Sequence, residues 1–393
     1  MNIFKKKLRV GIAFLLFCMT IFPRGILCFA QDPSKPQLLS ESYVLMEAST
    51  GTILHEKDMH KVLPPASITK IMTLLLIYEA LEEGTITKET IVTASSHAAS
   101  MGGSQVYLEE GEQQTVETMI KCICICSAND ACVAMAEHLA GTEEAFVDEM
   151  NKKAKELGMN DTHFVNCCGL DVDGHVSSAY DIALMSRELM SKYPDIKTYS
   201  TTRIDSMIHT TKKGSTEFGL TNTNKLLSSY EGITGLKTGS TSKARYCLSA
   251  TATRNDIDMI AVVLSAPDTK TRFKEAATLL NYGFSQCKVF TDDHTDLEPV
   301  KVLVERSMEE EATLVPKENF RYVSVEKAEL DQITEETYVY ESITAPISKG
   351  EELGAIIYSL NGKEIGRVAL IAESDIQEAT YLDYLKRVLS LFI

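Results

Sequence analysis

Pro64-Pro65-Ala66-Ser67-Ile68-Thr69-Lys70 opens a helical run that continues through Ile71, Leu74, Leu75 and Tyr78 and stops at Gly84. Proline near the start and glycine past the end mark the limits of such a helix. That frame places Ser67 in the first turn, where unpaired N–H groups and the helix dipole favour developing negative charge. Lys70 follows one turn later on the same face. A serine hydroxyl is a poor nucleophile until something accepts its proton, and a desolvated, neutral lysine within hydrogen-bond reach can do so. Alone, S-x-x-K is a weak sign, because two common residues recur at that spacing by chance.

Two further stretches change the weighing. Ser127-Ala128-Asn129 lies in the middle of a run, Val116 to Leu139, that reads as one buried helix, and it offers a hydroxyl and an amide two residues apart. Lys237-Thr238-Gly239 follows Gly235 and precedes a β-type run, Tyr246–Ala250. On an edge strand it would supply a cation, a hydroxyl and a glycine that lets a substrate backbone lie close. Each has a bland alternative, a helix cap for Ser127 and a solvated turn for Lys237. The three in this order and at these intervals rarely coincide by chance.

Together they resemble the signature of penicillin-binding proteins and serine β-lactamases. The surrounding text is more specifically similar to the low-molecular-mass D-alanyl-D-alanine carboxypeptidases, through Pro65 to Lys70, Ser127 to Ala131, Leu170-Asp171 with Ser178 to Asp181, Asn222 to Leu227 and Gly235 to Gly239. The resemblance covers about Ser40 to Phe284 and extends more weakly to Ala345-Pro346-Ile347-Ser348-Lys349-Gly350. It implies an α/β (α+β) β-lactamase/transpeptidase-like catalytic domain, an antiparallel sheet flanked by helices with a helical insert carrying Ser127 and Asn129. It also implies roles. Ser67 attacks the carbonyl between two terminal D-alanines, Lys70 accepts its proton, and Ser127 relays a proton to the leaving amine. Asn129 holds the substrate amide, while Lys237 and Thr238 recognise the terminal carboxylate beside Gly239. Backbone N–H groups of Ser67 and Ser240 form the oxyanion hole. Arg272 falls where the family carries a carboxylate-binding arginine, a task suited to its bidentate fork; a surface charge on the next helix is the alternative.

The departures from the family pattern are Ala128 where glycine is common, Asn166-Cys167-Cys168-Gly169 in place of a commoner Asn-Pro, and Arg245 where many members have glycine. None touches a catalytic atom directly. No E-x-x-L-N occurs between Asp130 and Gly235, so the deacylating glutamate of class A lactamases is missing. β-Lactams are therefore expected as slowly released covalent inhibitors. A D,D-endopeptidase acting on peptide cross-links would use the same residues, and a catalytically silent cell-wall scaffold or penicillin-binding sensor is the alternative from another class.

Beyond the signature, 393 residues with 44% hydrophobic and 24% charged residues suit two or three folded domains. The net charge of −16 argues against a nucleic-acid partner. Residues 1–30 read as a signal peptide, with Lys5, Lys6, Lys7 and Arg9 ahead of an apolar run from Val10 to Phe22, and Cys28-Phe29-Ala30 before the cleavage point. The run is short of the roughly 20 residues a membrane span needs. Export to the outer face of the cytoplasmic membrane or the cell wall follows as an expectation. Residues 31–286 form the expected catalytic domain. Residues 287–372, with short alternating runs such as Tyr322–Val325 and Ala355–Leu360 separated by turns such as Asn361-Gly362, read as a small all-β domain. Residues 373–393 read as an amphipathic helix, with Ile376, Ala379, Leu382, Leu385, Leu389 and Phe392 as its stripe. In the family such a helix lies on the membrane surface; docking on the chain's own β domain is the alternative.

Cys122, Cys124 and Cys126 alternate with Ile in an apolar run and read as core thiols, not as disulfides or a metal site. The eight histidines form no H-E-x-x-H or close pair. No metal or organic cofactor is implied, and peptidoglycan stem peptides are the expected substrate.

Overall fold

Alternation along Ser42–Glu47 sets the layering of the catalytic region. Val44 and Met46 join one buried cluster and Tyr43 and Leu45 another, so the strand is covered on both faces. In the computed structural model, which describes residues 35–212, 214–325 and 329–390, this strand belongs to a five-stranded sheet. The order is Ile53–Lys57, Ser42–Glu47, Ile257–Ala266, Arg245–Arg254 and Ile233–Thr241, every pairing antiparallel. Ile260, Val262 and Leu264 pack with the helices Lys70–Glu82, Val116–Ile125, Asn129–Ala140 and Ala179–Lys192. On the other face Leu248, Ala250, Ala261 and Val263 pack against Phe273, Ala276, Leu279 and Leu280 of the helix Thr269–Gln286. The K-T-G segment lies on the last, edge strand, Ile233–Thr241. An edge position leaves one row of backbone groups unpaired and available to a substrate.

The C-terminal region is β-rich. A six-stranded sheet runs Ile333–Val339, Glu352–Leu360, Lys363–Ala372, Glu311–Pro316, Val300–Glu305 and Ser342–Thr344, with one parallel pairing at the last step. A two-stranded ladder, Lys288–Asp292 with Phe320–Ser324, accompanies it. Phe320 stacks on Tyr358 at 3.7 Å within the core of this region. Residues from Leu38 onward form one compact unit.

Two expectations are corrected. Val116 to Leu139 is not one helix: Val116–Ile125 ends, Ser127 takes φ 66°, and Asn129–Ala140 begins anew. The left-handed residue breaks the helical register, which periodicity could not reveal because both helices are buried. Among the described residues the C-terminal helix is Tyr381–Ser390, and residues 373–380 of the expected helix are not helical. Ile376 instead pairs with Ile347 in an antiparallel bridge and is buried in the β core. Phe392 and the expected signal peptide lie outside the described residues. Among the described residues no helix is long and apolar enough to cross a membrane.

Candidate active site

The S-x-x-K motif is built on two backbone conformations. Ala66–Thr69 forms a 3-10 turn and the α-helix starts at Lys70. Ala66 takes φ 50°, an uncommon left-handed conformation for alanine. Two glycines press closely on this turn. A Cβ on Gly169 would fall 1.9 Å from the Ala66 carbonyl oxygen, and one on Gly239 would fall 3.0 Å from the Ser67 nitrogen. The K-T-G strand and the loop before Leu170 therefore both contact the nucleophile turn through backbone.

Lys70 is fully buried, and its Nζ donates to three acceptors: Ser67 Oγ at 3.1 Å, Asn129 Oδ1 at 2.6 Å and the Cys168 carbonyl at 2.6 Å. Asn129 reaches this point because the insert breaks just before it. Its Nδ2 donates to the Gly102 carbonyl at 2.7 Å and its backbone N–H to the Ser104 carbonyl at 2.7 Å. Ser127 Oγ is buried and has no hydrogen-bond partner among the described residues. A buried hydroxyl without a partner is costly unless a ligand completes it.

On the edge strand Lys237 is buried, and its Nζ donates to the Thr238 carbonyl at 3.0 Å. Burial, reinforced by the Lys70 charge, pushes its pKa down to about 7. The Thr238 and Thr223 hydroxyls are bonded at 2.6 Å. Ser240 follows, exposed. Arg272 is not a surface charge: only 7% exposed, it donates from Nη1 to the Gly239 carbonyl at 2.8 Å and the Cys247 carbonyl at 3.1 Å. It grips the backbone of the K-T-G strand, and its Nε has no partner among the described residues.

The geometry thus brings Ser67, Lys70 and Asn129 into one hydrogen-bonded group and packs Gly239 against the Ser67 turn. Ser127, Thr238, Ser240 and Arg272 lie on the neighbouring backbone without bonding to Ser67. Sequence reasoning missed three supports. The Cys168 carbonyl anchors Lys70, and a backbone acceptor leaves no residue-type signal. Asp130 accepts N–H bonds from Val106 and Leu108, at 3.1 Å for the latter, and braces the loop that holds Asn129. Its place beside Asn129 was the only hint. Thr223 was visible in Asn222-Thr223-Asn224, but without a partner.

Of the three departures from the family pattern, the Asn166-Cys167-Cys168-Gly169 loop does touch a catalytic atom, against expectation, through the Cys168 carbonyl on Lys70 Nζ; the other two are read in the backbone. Ala128 has φ −60°, which needs no glycine. Arg245 has φ 58°, the left-handed geometry glycine adopts freely. The eight cysteines from Cys122 onward are unpaired thiols, and seven are buried. Burial pushes Cys124 up to about 12 and Cys126 up to about 11, although Lys237 opposes it in both. Among the described residues no group of three His, Cys, Asp or Glu is placed to hold a metal ion.

Comparison with known proteins agrees along nearly the whole chain. A model described as D-alanyl-D-alanine carboxypeptidase matches residues 29–268, and one described as penicillin-binding protein 5, C-terminal domain, matches residues 284–378. The chain is 40% identical over 383 residues to D-alanyl-D-alanine carboxypeptidase DacF of Bacillus subtilis, covering 97% of this chain and 96% of that protein. It is 33% identical to DacC of Escherichia coli, covering 95% and 92%. Among solved structures, PBP3 of Streptococcus pneumoniae superposes with a TM-score of 0.70 at 28% identity, covering 87% of this chain and all of that one. Penicillin-binding protein 5 of Haemophilus influenzae gives 0.66 at 29% identity, covering 88% and 99%.

Proposed function

The chain belongs to the D-alanyl-D-alanine carboxypeptidase family, and from that premise we propose that it removes the terminal D-alanine from peptidoglycan stem peptides through an acyl-enzyme on Ser67. The observation that carries the assignment of the nucleophile is the 3.1 Å contact between Ser67 Oγ and a fully buried Lys70.

Ser67 Oγ attacks the carbonyl carbon of the penultimate D-alanine; Lys70, in the neutral amine form that donates only to Asn129 Oδ1 and the Cys168 carbonyl, turns its lone pair to Ser67 Oγ and takes the hydroxyl proton. The oxyanion that forms is held by the backbone N–H groups of Ser67 and Ser240, the contribution usually largest in such sites. Ser127 passes a proton to the departing amine, the C–N bond breaks, and free D-alanine leaves an ester on Ser67. Water then hydrolyses the ester and releases the shortened peptide. Asn129 holds the substrate amide as well as Lys70. Lys237 and Thr238 receive the terminal carboxylate on the edge strand, where Gly239 allows a close approach. Arg272 supports that carboxylate site with its charge, from its position on the Gly239 carbonyl.

β-Lactams enter the same site as covalent inhibitors. The enzyme works outside the cytoplasm, where its polymeric substrate lies. The helix Tyr381–Ser390 exposes Tyr381, Leu382, Tyr384, Leu385, Val388 and Leu389, which supports peripheral attachment to the outer face of the cytoplasmic membrane. Incubation with penicillin followed by peptide mass mapping tests the nucleophile. The expected result is one stoichiometric, slowly lost adduct at Ser67. Rapid turnover of penicillin, or an adduct elsewhere, overturns the assignment.

A further inference from the structure

Behind the nucleophile turn lies a directional chain of hydrogen bonds that the mechanism above does not use. His175 is 3% exposed. Its Nδ1 accepts the Val165 backbone N–H at 3.0 Å, so the ring carries its proton on Nε2. Nε2 lies 2.8 Å from Thr69 Oγ1, and that hydroxyl spends its single proton on the Ala66 carbonyl at 2.9 Å. Every donor and acceptor role in the chain is therefore fixed. The chain ends on the residue whose φ is 50° and whose carbonyl Gly169 presses against. A left-handed alanine persists only where its surroundings over-determine it, and the next residue is Ser67.

We propose that His175 and Thr69 are positioning residues that hold the peptide preceding Ser67 in the geometry from which the hydroxyl attacks. The inference rests on the reading of Ser67 as nucleophile. Neither side chain touches the substrate. His175 fixes the rotor of Thr69, and Thr69 fixes the Ala66 carbonyl. Burial, then His163 and Lys70 against an opposing Asp171, pushes the His175 pKa down to about 4, so the neutral tautomer that the chain requires persists at neutral pH.

The test follows the rate of acylation against the concentration of a fluorescent penicillin, resolving reversible binding from the acylation step, in the full chain and in Thr69→Val, Thr69→Ser, His175→Leu and His175→Gln. Thr69→Val keeps shape but loses the hydroxyl, and we expect about a 10- to 100-fold loss, in the acylation step and not in the preceding reversible binding. Thr69→Ser restores the hydroxyl and is expected to recover to within about threefold of wild type, which a packing role would not produce. His175→Gln can still donate an amide N–H to Thr69 and should exceed His175→Leu. Histidine-selective 15N NMR of the wild type adds a readout independent of variant folding, with the Nε2–H tautomer expected for His175 at neutral pH. A folded Thr69→Val that acylates within about twofold of wild type, or the opposite tautomer, overturns the inference. A wild type that forms no adduct at Ser67 overturns instead the functional reading beneath it.

Discussion

Gly169→Ala is the sharpest perturbation the packing allows. The added Cβ would lie 1.9 Å from the Ala66 carbonyl oxygen, whereas real Cβ atoms essentially never approach closer than 3.0 Å. The loop and the nucleophile turn must therefore move apart by more than an ångström. Opening that gap stretches the bonds that tie the helix to the loop, from Lys70 to the Cys168 carbonyl, 2.6 Å, and from Thr73 to the Cys167 carbonyl, 2.5 Å. The left-handed backbone costs about 1–2 kcal/mol for alanine, overpacking about 1–3 kcal/mol, and two weakened hydrogen bonds about 1 kcal/mol each. A stability loss of about 4–7 kcal/mol follows. Gly141→Ala is the control: its φ is 84°, but a Cβ there meets nothing within 4 Å, so only the backbone term applies. Urea unfolding reads the stability difference, and penicillin acylation of the folded protein reads the site, with about a 100-fold loss expected for Gly169→Ala alone. If Gly169→Ala unfolds like the control and acylates like wild type, the contact between loop and nucleophile turn is not the one described.

Further outcomes follow from the electrostatics, the thiols and the C-terminal helix. With the Lys237 pKa near 7 in the folded protein and 10.5 as its ordinary value, the cation that receives the carboxylate is lost as pH rises through about 7, and kcat/KM for a carboxylate-ended peptide should decline there; a flat profile from pH 6 to 9 contradicts this role. The unfolded chain keeps that proton to higher pH, so stability from this group rises as pH goes from about 7 toward 10.5, measurable as a shift in urea midpoint. Thiol titration of the mature chain should find eight free thiols after unfolding and, in the native state, at most slow reaction, since seven are buried and burial pushes half-buried Cys126 up to about 11; any disulfide refutes this. Removal of residues 381–393 should abolish flotation with anionic liposomes, and equal flotation sinks the membrane reading.

The catalytic motifs were legible because their spacing is set by chemistry: Ser67 and Lys70 must share a helix face, and Lys237 to Gly239 must lie on an edge. The β region was legible from alternation and from turns such as Asn361-Gly362, which joins paired Leu360 and Lys363. The helix break at Ser127 was not, since a left-handed residue carries no mark in an apolar run. Nor was the late start of the C-terminal helix, because Ile376 has a tertiary partner in Ile347 that outweighs its local helical spacing. The backbone acceptor of Lys70 and the His175 chain arise from folding distant segments together, and no local pattern encodes them.

The central claim is tested most directly by free D-alanine released from a peptide ending in Lys-D-Ala-D-Ala, measured for the mature protein and for Ser67→Ala. Steady release by the first and none by the second is the expected result. Release that survives the substitution, or none from a wild-type protein that still binds penicillin at Ser67, would contradict it.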